Sequence, residues 1–167
     1  ERLYAISKIT PLFLESFKKI VDFEKTLKEN PNDINVLREA KKIGFSDKYI
    51  AKVWSEKELS VFDMRRKNGI MPIYRMADTL HTGGYIPCFY SSYREENASI
   101  KTEKKKIVVL GAGPIRIGQG IEFDYCSVHC VWALKEMGYE AIICNNNPET
   151  VSTDFDTGDR LYFDPLT

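Results

Sequence analysis

The sequence predicts a multi-domain chain of the α plus α/β class, an N-terminal helical bundle domain followed by a partial parallel sheet. Three observations carry this. Up to Gly69, apolar side chains recur every three or four positions, the period of a helix face. After Gly69 that period is lost. From Ile107 onward, two short apolar runs bracket a helical stretch, and strand, helix, strand with a right-handed crossover makes a parallel pair.

In the first half, Thr10-Pro11 is a helix start, with a capping-type residue ahead of proline in the first turn. Phe13, Phe17, Ile20, Phe23 and Leu27 then fall on one face, with Lys18, Lys19, Lys25 and Lys28 off it. Asn30-Pro31-Asn32-Asp33 breaks this helix and caps the next, which covers residues 34–43 with Val36, Leu37, Ala40 and Ile43 inward. Gly44 stops it. Ser46 starts a third helix, carrying Ile50, Val53 and Trp54. Ser55 with Glu58 forms a capping box for a fourth, in which Leu59 and Phe62 face in and Asn68-Gly69 ends the run. Short amphipathic helices with brief connections fit a spacer or assembly module better than an active site.

Met71-Pro72-Ile73-Tyr74 cannot be helix interior, because proline has no amide donor. Thr82-Gly83-Gly84 is a turn, and residues 85–93, rich in Tyr and Phe, read as extended. With no basic patch beside them, these rings suit packing rather than base stacking. The polar stretch 94–106 is the linker candidate, so the expected domains are 1–93, a linker 94–106, and 107–167. No internal repeat is visible.

Composition bounds the rest. With 167 residues there is room for one medium domain or two small ones. The 24 basic and 24 acidic side chains give a net charge of +0, which makes no electrostatic case for nucleic acid or an acidic membrane as partner. At 43% hydrophobic residues the chain can build a core. No apolar run approaches the roughly 20 residues of a membrane span. No signal peptide is visible, and a chain opening on Glu1 reads as a piece of something longer. The 4 cysteines form no Cys-x-x-Cys pair and read as free thiols of a cytoplasmic protein. The competing reading, a metal site of Cys126, His129 and Cys130 on one helix face, lacks a fourth ligand.

The α/β part turns on one stretch. Ile107-Val108-Val109-Leu110 runs directly into Gly111-Ala112-Gly113-Pro114-Ile115-Arg116-Ile117-Gly118-Gln119-Gly120. Glycine admits positive φ and lets backbone approach a ligand closely, and a strand feeding such a turn is Rossmann-like. The dinucleotide fingerprint needs a third glycine where Arg116 stands, so this is a poor dinucleotide loop. A helix follows over 125–137, closed by Gly138, then a strand over 140–144. A second loop, residues 145–157, leaves that strand, and a third short strand covers 160–163. Both loops leave C-terminal strand ends, the edge where open α/β sheets place ligands.

Three ordered blocks resemble one family. Gly111 to Tyr125, Asn147 to Thr157 (Asn-Pro-Glu-Thr-Val-Ser-Thr-Asp-Phe-Asp-Thr) and Asp159-Arg160-Leu161-Tyr162-Phe163 resemble the opening of the second synthetase half of the carbamoyl phosphate synthetase large subunit. Ile43 to Asp47, Tyr74 to Thr79 and Phe89 to Tyr93 are similar to its oligomerisation domain. Asn146, where many relatives carry cysteine, and Ala112, often glycine, are departures. The resemblance implies that 107–167 is part of a pre-ATP-grasp subdomain lining the far end of a carbamate tunnel, with Arg116, Gly120, Glu122 and Glu149 at tunnel positions and Gly111, Gly113, Gly118 and Gly120 in the glycine-rich loop. For the intact enzyme it implies an ATP-dependent ligase, with ATP, Mg or Mn, and K as cofactors. Its partners would be a glutaminase small subunit, the remaining large-subunit domains, and further copies joined through the helical domain. The product would feed arginine or pyrimidine biosynthesis. The ATP-grasp domains would lie outside these residues, so the chain alone is expected to carry no catalytic residue, no cofactor and no synthetase activity. Two other readings stand beside this one: a free nucleotide-binding Rossmann-like module, and a stand-alone assembly scaffold.

Overall fold

The computed structural model describes residues 2–78, 83–94, 96–114, 122–148 and 150–166. The chain forms two compact units, Glu1–Met71 and Pro72–Thr167. Among the described residues, no helix is long and apolar enough to cross a membrane.

The first unit is helical: α1 (Arg2–Ser7), α2 (Pro11–Glu29), α3 (Ile34–Ile43), α4 (Asp47–Trp54) and α5 (Glu58–Lys67). Pro11 opens α2, but Thr10 gives it no side-chain cap bond. Asp33 caps α3 by accepting the Asn35 and Val36 amides at 2.7 and 3.0 Å. Gly44, at φ 108°, ends that helix in the left-handed region. Ser46 caps α4 through the Tyr49 amide at 3.1 Å. Leu27, Leu37, Ala40, Ile50, Trp54 and Val61 make the core. The Trp54 indole donates to the Leu27 carbonyl at 2.8 Å, so α4 is tied to the last turn of α2.

A charged node lies beside this core. Asp47 is held between Lys41 at 2.8 Å and Arg65 at 2.6 Å, with both cations buried. Burial pushes the Asp47 carboxyl up, but hydrogen bonds from Lys41 and Arg65 outweigh it and leave it below its ordinary value.

Several helical expectations are corrected. Phe13, Phe17 and Ile20 do not face a core; they are exposed, and of the expected stripe only Leu27 is fully buried. α1 leaves these early residues exposed, and the core of the bundle is met further along α2, where Phe23 meets Phe45 with ring centroids 5.9 Å apart. The Ser55–Glu58 capping box does not form. Ser55 instead terminates α4 at φ 58°, and α5 starts after Lys57 without a side-chain cap. Leu59 is exposed, while Val61 and Arg65, one turn apart, are the buried residues of α5.

The second unit is a five-stranded sheet with α6 (Glu122–Glu136). Its strands are β1 (Ile73–Met76), β2 (Cys88–Ser92), β3 (Lys106–Leu110), β4 (Glu140–Cys144) and β5 (Arg160–Tyr162), in the order β1-β2-β5-β4-β3. The β2, β5, β4 and β3 neighbours are parallel, whereas β1 runs antiparallel to β2, so the sheet is mixed rather than wholly parallel. On one face, Val131 of α6 packs with Ala141, Ile143 and Leu161, flanked by Val109 and Leu134. On the other, Tyr74 and Phe89 pack on Tyr162 with centroids 4.6 and 5.4 Å away.

The break between units therefore falls after Met71, not after Tyr93. The aromatic segment 85–93 instead supplies β2 to the sheet, paired with β1 on one side and, about 70 residues further along the chain, β5 on the other. Nor is 94–106 a free tether. Asn97 accepts the Tyr74 amide at 2.9 Å, Ala98 donates to the Tyr74 carbonyl at 2.7 Å, and Ser99 meets the Tyr162 hydroxyl at 2.7 Å. At the N-terminal end of β4, Glu140 bonds Arg160 at 2.5 Å, accepts from the Thr102 hydroxyl, and lies 3.6 Å from Lys106. Burial pushes its carboxyl up, yet the Thr102 and Arg160 hydrogen bonds prevail and hold it below its ordinary value.

Candidate functional site

The glycine turn and the second loop meet at the C-terminal edge of the sheet. Leu110 and Cys144 end adjacent parallel strands in direct register. The Gly111 amide donates to the Cys144 carbonyl at 2.9 Å, which carries the ladder one residue further. There the Gly111 backbone lies so close to the Asn145 side chain that a Cβ at Gly111 would sit 2.4 Å from Cγ of Asn145. Gly113 meets a different demand, a φ of 74°.

Asn145 organises this junction. It is 1% exposed. Its Oδ1 accepts the amides of Gly113 and Asn146, both at 3.0 Å, and its Nδ2 donates to Ser152 Oγ at 3.2 Å. Its own amide donates to the Tyr162 carbonyl at 3.2 Å. One neutral side chain thus reaches both loops. Asp124, buried in the first turn of α6, accepts the Ser152 amide at 2.6 Å and adds that helix to the junction. Thr153 and Thr157 close the second loop on the Asn147 and Val151 carbonyls at 2.6 and 2.7 Å. Oδ1 of Asn146 is buried and has no hydrogen-bond partner among the described residues.

Of the residues expected at the site, Gly111 and Gly113 are placed, and both are in contact range of this junction. Arg116, Gly118, Gly120 and Glu149 lie outside the described residues, as does the side chain of Glu122. Asn145, Ser152 and Asp124 are the functional candidates that reading the sequence missed. The signal was three asparagines after an apolar strand, and nothing in the sequence alone separates the buried one from its neighbours.

The cysteines do not add a reactive centre. Cys126 and Cys130 are exposed on α6, and no three His, Cys, Asp or Glu side chains among the described residues are gathered to hold a metal ion. His129 instead lies between Tyr125, tilted against it with centroids 4.1 Å apart, and Trp132, edge-on at 5.1 Å. Burial pushes the Cys88 and Cys144 thiols up, which keeps them protonated. Ser152 is fully buried and engaged on both its amide and its hydroxyl, which suits it to scaffolding rather than to attack on a substrate. The described groups form a braced loop junction on the edge where an α/β sheet receives its ligand.

Comparison with known families covers both units. Residues 1–69 match the oligomerisation domain of the carbamoyl-phosphate synthetase large chain. Residues 103–167 match the carbamoyl phosphate synthase preATP-grasp domain. One match falls on the helical unit and the other spans β3, the braced loop junction and β5, so the chain belongs to the carbamoyl phosphate synthase large-chain family.

Proposed function

We propose that this chain forms part of a glutamine-hydrolysing carbamoyl phosphate synthetase, linking its assembly domain to one wall of the carbamate tunnel at the second synthetase half. In this reading a glutaminase partner releases ammonia, and the first half uses ATP and bicarbonate to make carbamate. The second half phosphorylates that carbamate with a second ATP. ATP, with Mg or Mn, and K are held by other domains of the intact cytoplasmic enzyme. Carbamate decomposes readily in water, so a walled path has a chemical purpose. Arg116, Glu122 and Glu149 would handle the anion and its proton, and Gly120 would keep the bore open. The helical unit would join large subunits.

The observation that best supports this is the bracing of two loops at one sheet edge by Asn145. It also weighs against a free nucleotide-binding module. The Gly113 amide, which a phosphate would need, is already donated to Asn145. The test is Gly120→Phe in the intact large chain. Carbamoyl phosphate synthesis should collapse while bicarbonate-dependent ATP hydrolysis by the first half persists. Undiminished synthesis would remove Gly120 from the tunnel wall.

A further inference from the structure

We infer that Asn145 is a positioning residue for carbamate transfer: its amide fixes the glycine turn against the second loop, and this registration keeps the path sealed. The inference rests on the tunnel reading above, but its physical core does not. Asn145 contributes the acceptor for Gly113 and Asn146 and the donor for Ser152, and it is 1% exposed. The Gly111 backbone lies against the same side chain, closer than any Cβ would permit. Asp124 then holds the Ser152 amide from α6. The start of the glycine turn, residues 111–113, and the second loop therefore share one reference, and neither Gly113 nor Ser152 can move away without breaking an Asn145 bond. An amide suits the task because it donates and accepts at once without bringing a charge to a path used by an anion.

The experiment uses the intact large chain assembled with its glutaminase subunit, as wild type, Asn145→Ala, Asn145→Asp and Gly120→Phe. Two readouts are taken: ATP hydrolysed per carbamoyl phosphate formed, and amide hydrogen exchange of the peptides carrying Gly113 and Ser152. In Asn145→Ala, the ATP cost per product should rise roughly tenfold, below the roughly 10²-fold that a misplacement of about 1 Å can cost. The two peptides should lose protection together, while β4 keeps its own. In Asn145→Asp, one carboxylate oxygen still accepts from Gly113 and Asn146 and the other accepts the Ser152 hydroxyl, so protection should stay near wild type, while the charge brought to the edge should raise the ATP cost per product. A folded Asn145→Ala enzyme with unchanged coupling overturns the inference. So does lost protection at Gly113 in Asn145→Asp, the variant that carries the test if the alanine variant does not assemble. If Gly120→Phe leaves synthesis intact, the tunnel reading fails while the exchange data still judge the brace. If Gly120→Phe blocks synthesis and Asn145→Ala does not raise the ATP cost, the positioning role alone fails.

Discussion

The two ends of the sheet are held by opposite chemistry. At the N-terminal end of β4 and β5, an ionised pair, Glu140 and Arg160, is buried with Thr102 and Lys106 around it and secures the 97–106 strap. At the C-terminal end of β3 and β4, a neutral amide, Asn145, carries out the corresponding joining of loops. Charge is thus paired and internally satisfied where the unit needs only stability. At the loop edge the side chain that reaches both loops is neutral, and the Asp124 carboxylate beside it holds only the Ser152 amide. On the tunnel reading proposed above, a charged brace there would compete with Arg116, Glu122 and Glu149 for an anion and its proton.

The largest effect should come from splitting the ion pair. Arg160→Ala leaves Glu140 charged and buried, which costs about 3–5 kcal/mol. Chemical denaturation of the sheet unit measures this, and the Glu140→Leu/Arg160→Met double variant should lose far less. A double variant as unstable as the single would show that the pair contributes real net stability and would sharpen the contrast. Next comes Asn145→Ala, which strands buried donors at about 1–3 kcal/mol. Its stability loss should be below that of Arg160→Ala, while its loss of coupling is greater; the reverse ranking breaks the comparison. Gly111→Ala should cost about 1–3 kcal/mol by overpacking. Asn145→Ala should not rescue it, because the new Cβ would still lie 2.7 Å from Cβ of residue 145.

The two ends should also differ with pH. The Glu140 carboxyl is held below its ordinary value in the folded chain. Its contribution is therefore complete above the unfolded carboxylate range, near pH 4 to 5, and is lost as pH falls through that range and below. The stability difference between wild type and Glu140→Gln should shrink with acidification, whereas that between wild type and Asn145→Ala should stay flat. A flat Glu140 curve would mean that the pair gains nothing from ionisation. Smallest of all is Thr102→Val, about 1 kcal/mol by the same denaturation assay.

The alternating strands and their shared loop edge were legible because local signals agree there. An apolar run, a glycine turn, a helix and a second run leave one simple arrangement, and β3, α6, β4 and β5 follow it. What was not legible depends on distant partners. The β2 segment reads as extended, but nothing local says that it will lie in one sheet with β5. Phe13 and Phe17 share a helix face with Leu27, but period alone does not say how far along a helix its cover extends. Ser55 had two possible duties, and the left-handed turn that ends α4 took precedence over capping α5. Asn145 was invisible for a related reason: its role is set by Gly111, Gly113 and Ser152, and no spacing rule ties those positions to an amide.

The free side of β3 has one further consequence. It is an edge strand whose Val108 and Leu110 are more than half exposed. Ile107-Val108-Val109-Leu110 is a short, uncharged, proline-free β-former, the kind of segment that templates pairing between chains. With a net charge of +0, long-range repulsion gives the molecule no protection against such encounters. Protection is local instead. Lys104 and Lys105 stand immediately before the segment as gatekeepers, placing positive charge where a second copy would begin to zip onto the strand, while Lys106 lies 3.6 Å from Glu140. The lysines at the end of the expected linker are, on this account, what keeps the edge colloidally quiet.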